Sequence, residues 1–239
     1  MSNMVLHPAN KRGHANHGWL NAKHSFSFAN FYDADKVHFG ALRVLNDDEI
    51  APGRGFGTHS HDNMEIVTIP LEGILEHQDS MGNKAIIKHN EIQMMSAGTG
   101  IQHSEYNKLS DGFLRLLQIW VFPKVRNITP RYDQMELNPI ERKNKLQIVA
   151  SPLETSDGGI KLNQDAWFVM GSFDKNWETD YQVHLKTNGV YAFLIDGEVE
   201  INGQLLQKRD ALGIWDTEKL TIKSNSDAEL LLIEVPMTF

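Results

Sequence analysis

The sequence predicts a mainly β protein of two similar barrel-like halves. Three observations carry that expectation: short alternating segments closed by turn residues, strand-length apolar runs that end at proline, and a partial internal repeat. Val199-Glu200-Ile201-Asn202-Gly203 and Leu220-Thr221-Ile222-Lys223 alternate apolar and polar residues, the period of a strand with one face buried. Leu116-Leu117-Gln118-Ile119-Trp120-Val121-Phe122 and Leu230-Leu231-Leu232-Ile233-Glu234-Val235 are almost wholly apolar and read as strands covered on both sides, each stopped by Pro123 or Pro236. Closely spaced strands with little helical period argue for barrels or sandwiches. Leu71-Glu72-Gly73 and Ile195-Asp196-Gly197 stand 124 residues apart, about half the chain, and each introduces a strand-turn-strand pattern. Two similar β-domains are therefore expected, with one continuous large sandwich as the competing architecture. Between them, the proline-rich and charged stretch from Pro123 to Lys145 reads as a connection containing a short helix. The expected domains are residues 1–135 and 136–239.

Composition narrows the chemistry. The 239 residues are 41% hydrophobic and 23% charged, which is globular material long enough for one large or two small domains. Cysteine is absent, so thiolate metal sites, disulfides and cysteine nucleophiles are excluded, and a metal would need nitrogen and oxygen donors. A net charge of -8 disfavours direct binding to a phosphate backbone. No basic segment followed by an apolar stretch opens the chain, and no run reaches the roughly 20 apolar residues of a membrane helix. A cytoplasmic location is the expectation.

The informative segments are Gly53-Arg54-Gly55-Phe56-Gly57-Thr58-His59-Ser60-His61-Asp62-Asn63-Met64-Glu65 and Ser96-Ala97-Gly98-Thr99-Gly100-Ile101-Gln102-His103-Ser104-Glu105-Tyr106-Asn107. Residues two apart on a strand share a face, so His59 projects with His61, and His103 with Glu105. Two such pairs on facing strands could converge on one ion inside a barrel. Three imidazoles and a carboxylate suit a divalent first-row transition metal and fit calcium or magnesium badly. With six-fold coordination, four protein ligands would leave two positions for substrate and oxygen. A lone His-x-His is more often a surface or packing feature, and the joint occurrence of the two pairs beside glycine-rich turns is what favours a site.

Glu65 could be a fifth ligand, a hydrogen-bond acceptor supporting the ligands, or a surface carboxylate, and the supporting acceptor is preferred. Gly53, Gly55, Gly57, Gly98 and Gly100 are most simply turn residues. His14 and His17 sit three apart in a polar segment with no second pair nearby and read as loop residues. His7, His24, His38, His77, His89 and His184 are isolated and read as core or surface histidines. Asp79-Ser80-Met81-Gly82-Asn83 reads as a hairpin turn. No Walker loop, dinucleotide fingerprint or Gly-x-Ser-x-Gly elbow occurs.

Gly53-x5-His59-x-His61-x3-Glu65 resembles the first cupin motif, and Gly100-x2-His103-x3-Asn107 resembles the second. Arg12-Gly13-His14, Trp19-Leu20, His24-Ser25-Phe26-Ser27-Phe28, His77-Gln78-Asp79-Ser80-Met81-Gly82 and Ser96 through Glu105 further resemble the pirin family, and within it the bacterial pirin-like quercetin 2,3-dioxygenases. The motifs fill the first half densely, and the second half matches in length and β-rich pattern. The resemblance implies a bicupin, two jelly-roll barrels with one metal in the first, held by His59, His61, His103 and Glu105. Glu65, the usual cupin glutamate, would lie outside the ligand set. Applied to His59 and His61, the 124-residue offset lands on Val183 and Leu185, so the second barrel is expected to be structural and metal-free.

The function the resemblance implies is a metal-dependent dioxygenase that opens the heterocycle of a flavonol such as quercetin. The flavonol 3-hydroxyl would lose its proton at the metal and the ring would react with dioxygen, releasing carbon monoxide. Glu105 is the expected catalytic residue, ligand and base at once. Iron is the expected metal, with manganese, cobalt, nickel, copper or zinc as alternatives. The expected partners are a small aromatic substrate and dioxygen, with no direct nucleic acid, no membrane and a monomeric chain. Phe26, Phe28, Met64 and Trp120 are candidate pocket walls. The competing function is a non-enzymatic, redox-responsive regulator that uses the same ligands, and a third is a cupin isomerase or small-molecule binder. A cavity wide enough for a three-ring ligand beside the metal would favour the enzyme.

Overall fold

The computed structural model describes residues 2–239. In the first half, β1 (Asn3–His7), β2 (Gly13–Asn16), β3 (Leu20–His24), β4 (Leu42–Ile50), β5 (Gly55–His61) and β6 (Glu65–Glu72) are followed by β7 (Ile74–Asp79), β8 (Lys84–Lys88), β9 (Glu91–Ser96), β10 (Ile101–Asn107), β11 (Leu114–Val121) and β12 (Arg131–Glu136). The second half contains β13 (Leu146–Pro152), β14 (Ile160–Leu162), β15 (Trp167–Phe173), β16 (Glu178–Gln182) and β17 (Asn188–Asp196). It ends with β18 (Glu198–Ile201), β19 (Gln204–Gln207), β20 (Ala211–Trp215), β21 (Lys219–Ser224) and β22 (Ala228–Pro236).

Each half pairs a seven-stranded sheet with a four-stranded one. The first barrel uses the orders β12-β9-β6-β11-β4-β3-β2 and β5-β10-β7-β8, the second β1-β20-β17-β22-β15-β13-β14 and β16-β21-β18-β19. The two apolar runs become β11 and β22, each hydrogen-bonded to strands on both edges, and their alternate residues serve two different cores. Leu117, Ile119 and Val121 join Phe168, Met170, Phe193, Leu231 and Ile233 in one core between the two large sheets. Leu116 faces the first barrel's interior, while Leu230 and Leu232 face the second's. The alternating segments become β18 and β21, which pair Ile201 with Ile222 and bury both.

The repeat is real in three dimensions. Gly73 and Gly197 each link a large-sheet strand to a small-sheet strand, β6 to β7 and β17 to β18, and each has φ of 86°. An added Cβ would meet the Phe113 carbonyl oxygen at 2.8 Å or the Asp227 carbonyl oxygen at 2.2 Å, so both corners need left-handed backbone and close approach together.

Two expectations about organisation change. Within the stretch from Pro123 to Lys145, Arg131–Glu136 is a strand paired antiparallel with β9, forming the edge of the first barrel's large sheet. The short helix is a 3-10 turn at Pro139–Arg142. The first barrel also does not begin at the first residue: β1 pairs with β20 as the edge strand of the second barrel's sheet. The chain thus crosses from one barrel to the other after His7, and the expected boundary of residues 1–135 describes the first barrel only from β2 onward.

Gly73→Ala should destabilise the protein by about 2 kcal/mol or more, from left-handed strain plus the steric clash, read as a shifted urea midpoint. Gly197→Ala should behave alike, which would verify that the two corners are equivalent.

Candidate metal centre

The first barrel's interior carries a polar layer between two apolar clusters. Leu20, Ile50, Leu75, Ile87, Leu114 and Leu116 fill one end, and Ile66, Met95, Ala97 and Ile101 the other. Between them, on inward faces at mid-strand, sit buried Thr68, His77, Gln93, His103, Glu105 and Gln118.

β5 and β10 are antiparallel neighbours in the small sheet, so the two predicted pairs meet side by side and not from facing strands. His59 lies opposite His103, after which β5 advances three residues to Phe56 while β10 advances two to Glu105. This bulge increases local twist and re-aims side chains. It depends on Gly55, where a Cβ would lie 2.1 Å from the Glu105 carbonyl oxygen. Gly55 and Gly57 are therefore strand residues, whereas Gly53, Gly98 and Gly100 have the positive φ expected of turns.

The three imidazoles converge. Ring centroids are 4.4 Å apart for His59 and His103, 4.9 Å for His59 and His61, and 5.0 Å for His61 and His103. One nitrogen from each lies within 4.8 Å of the others. His59 Nδ1 donates to the Gly57 carbonyl inside the bulge at 2.8 Å, leaving Nε2 with a free lone pair. Both ring nitrogens of buried His103 lack a hydrogen-bond partner. An orphaned imidazole beside two others is the state a metal would relieve, so the donor set fits a divalent transition metal. Burial, and then its histidine neighbours, push His103 down to about 2, while burial and His59 push His61 down to about 4. Both are thus neutral at pH 7, as ligation requires.

Glu105 groups with His103 and His77, whose donor atoms also lie within 4.8 Å of one another, and not with all three of the first histidines. It accepts hydrogen bonds from Thr68 Oγ1 at 3.3 Å and Gln118 Nε2 at 2.8 Å, both on the opposing sheet. Burial raises its pKa to about 7 despite those bonds.

His77 is the residue that sequence reading passed over. It lies opposite Glu105 in the β7–β10 register, stacks on Tyr132 at 5.0 Å, and engages both nitrogens, with Asp79 Oδ2 at 3.2 Å and the Gln93 amide at 3.4 Å. Its His-x-Asp alternation was the available signal, and only the pairing register shows its meaning. Asp79 correspondingly does more than close a hairpin.

Glu65 is fully buried but supports no ligand. Its Oε2 accepts from Ser96 Oγ at 2.7 Å and from the backbone N–H of Asn163, in the second half of the chain, at 3.0 Å, so it fastens the barrels together. His14 and His17 are exposed, and His14 bonds Asn21. In the second barrel, His184 donates to buried Glu234 at 2.9 Å and stacks on Trp167.

A cavity of about 270 Å³ opens onto His59, His61 and Glu105, walled by Leu20, Ala22, Phe28, Phe56 and Trp120. Of the four candidate wall residues, Phe28 and Trp120 line it. Phe26 instead packs in the core between the barrels, and Met64 packs against Ile66, Met95, Ala97 and Ile101 and lines a separate surface hollow beside Phe122 and Phe239. Among the described residues, no helix is long and apolar enough to cross a membrane.

Two cupin barrels in one chain, with a histidine-carboxylate cluster in the first, define a bicupin of the metal-binding type. The Pirin family profile matches residues 5–121, and the profile for the quercetinase C-terminal cupin domain matches residues 148–235. A quercetin 2,3-dioxygenase of Escherichia coli (strain K12) is 47% identical over 233 residues, 98% of this chain and 99% of that protein. A pirin-like protein of Caulobacter vibrioides is 41% identical over 95% of this chain and 97% of its own. The crystal structure of the bacterial pirin YhhW from Escherichia coli, in complex with nickel(II), superposes with a TM-score of 0.92 at 46% identity, covering 98% of this chain and 99% of that one. The chain belongs to the pirin family.

His103→Ala should abolish stoichiometric metal uptake, measured by elemental analysis after loading, while the far-ultraviolet circular dichroism of the β-fold is retained. Glu65→Ala should do the reverse, keeping metal but losing about 1–3 kcal/mol of stability because Ser96 and the Asn163 N–H lose their shared acceptor.

Proposed function

We propose that this chain is a metal-dependent dioxygenase that opens the heterocycle of a flavonol such as quercetin with release of carbon monoxide. His59, His61, His103 and Glu105 are the proposed ligands, and Glu105 the proposed catalytic base. The observation that carries the reading is Glu105 itself: a buried carboxylate lining the same apolar cavity as His59 and His61. The names of the relatives point to the same chemistry.

A bound divalent metal supplies Lewis acidity, which lowers the pKa of a hydroxyl placed beside it. Glu105, lining the cavity beside that position, would accept the proton as ligand and base at once. Thr68 and Gln118 hold the carboxylate in place, limiting the reorganisation that proton transfer requires. Phe28, Phe56 and Trp120 give flat aromatic walls that suit a planar ligand and exclude water. His59, His61 and His103 would each hold the ion through one ring nitrogen. Iron is the proposed metal, with manganese, cobalt, nickel, copper and zinc suited to the same donors. Dioxygen and a small aromatic substrate are the partners of a cytoplasmic monomer in this reading. The cavity beside the cluster favours it over a regulator, which needs no space for an organic ligand.

The test is carbon monoxide release from quercetin under oxygen, using protein loaded in turn with each metal. Stoichiometric release from the wild type is expected, falling by about a hundredfold or more in Glu105→Gln. Metal-loaded protein that releases none would overturn the proposal.

A further inference from the structure

The cavity holds one polar patch that neither metal binding nor proton transfer uses. His24 on β3 and Asn46 and Asp48 on β4 line it, all nearly buried. Their strands lie beyond β11 in the large sheet, where Asn46 is the register neighbour of Gln118. His24 Nδ1 donates to Asn46 Oδ1 at 2.9 Å, which fixes both side chains and leaves His24 Nε2 as an acceptor.

Asp48 is different. It is 5% exposed, and its Oδ1 has no hydrogen-bond partner. Its register neighbours are Ala22 and Leu116, whose side chains offer none. Burial, and then Asp47 and Glu105, raise its pKa to about 8. An unpartnered carboxyl in an apolar interior is costly, and such groups need a reason to be kept. Exposure to a ligand cavity is that reason here, since an incoming polar hydrogen would supply the missing bond.

We propose that Asp48, with His24 and Asn46 beside it, is a hydroxyl-recognition subsite that selects aromatic ligands bearing a phenolic hydroxyl in addition to the one facing the metal. This rests on the cavity being the flavonol site. Asp48 then sets specificity rather than reactivity: a polyhydroxylated aromatic satisfies both ends of the cavity, and an analogue with only the metal-facing hydroxyl leaves the carboxyl unpaired. Sites of this kind discriminate strongly because the penalty falls on the ligand that lacks the group.

The experiment compares quercetin with 3-hydroxyflavone, which retains the 3-hydroxyl and lacks the others. Affinities are measured by calorimetry on metal-loaded wild type, Asp48→Leu and Asp48→Ala, with carbon monoxide release recorded on the same samples. The wild type should bind quercetin about tenfold to a hundredfold more tightly, the range that follows from leaving a buried polar group unpaired. In both variants the ratio should collapse toward one with metal content unchanged. The melting temperature should not fall in Asp48→Leu, because the side chain removed makes no bond within the protein. A purely structural role would instead lower stability and leave the affinity ratio in place. Wild-type affinities within about twofold of each other, or an unchanged ratio in the variants, would overturn the subsite. Turnover without discrimination sinks the subsite alone, discrimination without turnover sinks the dioxygenase alone, and absence of binding by either flavonol sinks both.

Discussion

A layer of polar side chains buried across the middle of an apolar barrel is the constraint on which the rest of this structure depends. In the second barrel, Val169, Val190, Leu194, Val199, Ile222 and Leu232 belong to one apolar cluster, and the buried Glu234 is bonded by Tyr181, His184 and Asn188. In the first barrel the corresponding space is divided, with apolar clusters at either end and His103, Glu105, Thr68, Gln118, Gln93 and His77 between them. Buried polar groups cost free energy unless each has a partner. Most of this layer is internally paired, with Gln118 and Thr68 serving Glu105, and Gln93 and Asp79 serving His77. His103 has no partner on either ring nitrogen and lies in the histidine cluster where an ion can complete it, and Asp48 Oδ1 lacks a partner where the cavity admits a ligand.

The second barrel helps the first to carry that cost. The outer faces of the two large sheets share a core that includes Val67, Leu117 and Ile119 from one barrel and Phe168, Phe193 and Leu231 from the other. Val67 precedes Thr68, and Leu117 and Ile119 flank Gln118, so the strands that grip Glu105 are anchored on their opposite faces by the neighbouring barrel. Polar ties reinforce the same junction. Arg12 bonds Asp47 and packs over Phe193, Arg209 also reaches Asp47, Glu65 holds the Asn163 N–H, and β1 is stitched into the far sheet. A rigid sheet keeps the imidazoles and the Glu105 carboxylate in fixed relative positions. The second barrel thus anchors the strands that carry the histidine-carboxylate cluster.

His59, His61, His103 and Glu105 stood out in the sequence because strand periodicity alone puts each pair on one face. The corner glycines, Gly73 and Gly197, were visible for a similar reason: a left-handed corner demands a particular residue at a particular place. Isolated residues left no such trace. His77, Asp48, Asn46 and Gln118 each occupy single positions in otherwise ordinary strands, and only strand order and register bring His77 to His103 and Glu105 and the other three to the cavity. Glu65 misled in the opposite sense, since its spacing from His61 fits a cupin motif while its carboxylate serves the barrel junction.

Local periodicity and turn chemistry by themselves determined the β class, the corner glycines and the shared faces of the histidine pairs. Those properties depend on neighbours within a few residues along the chain. Tertiary structure alone decided that β1 crosses to the other barrel, that the paired strands lie side by side with a bulge between them, and that Asp48 faces the cavity without a partner. Each of these depends on which distant strands become neighbours, and that pairing is set by burying two large sheets against each other rather than by any local pattern.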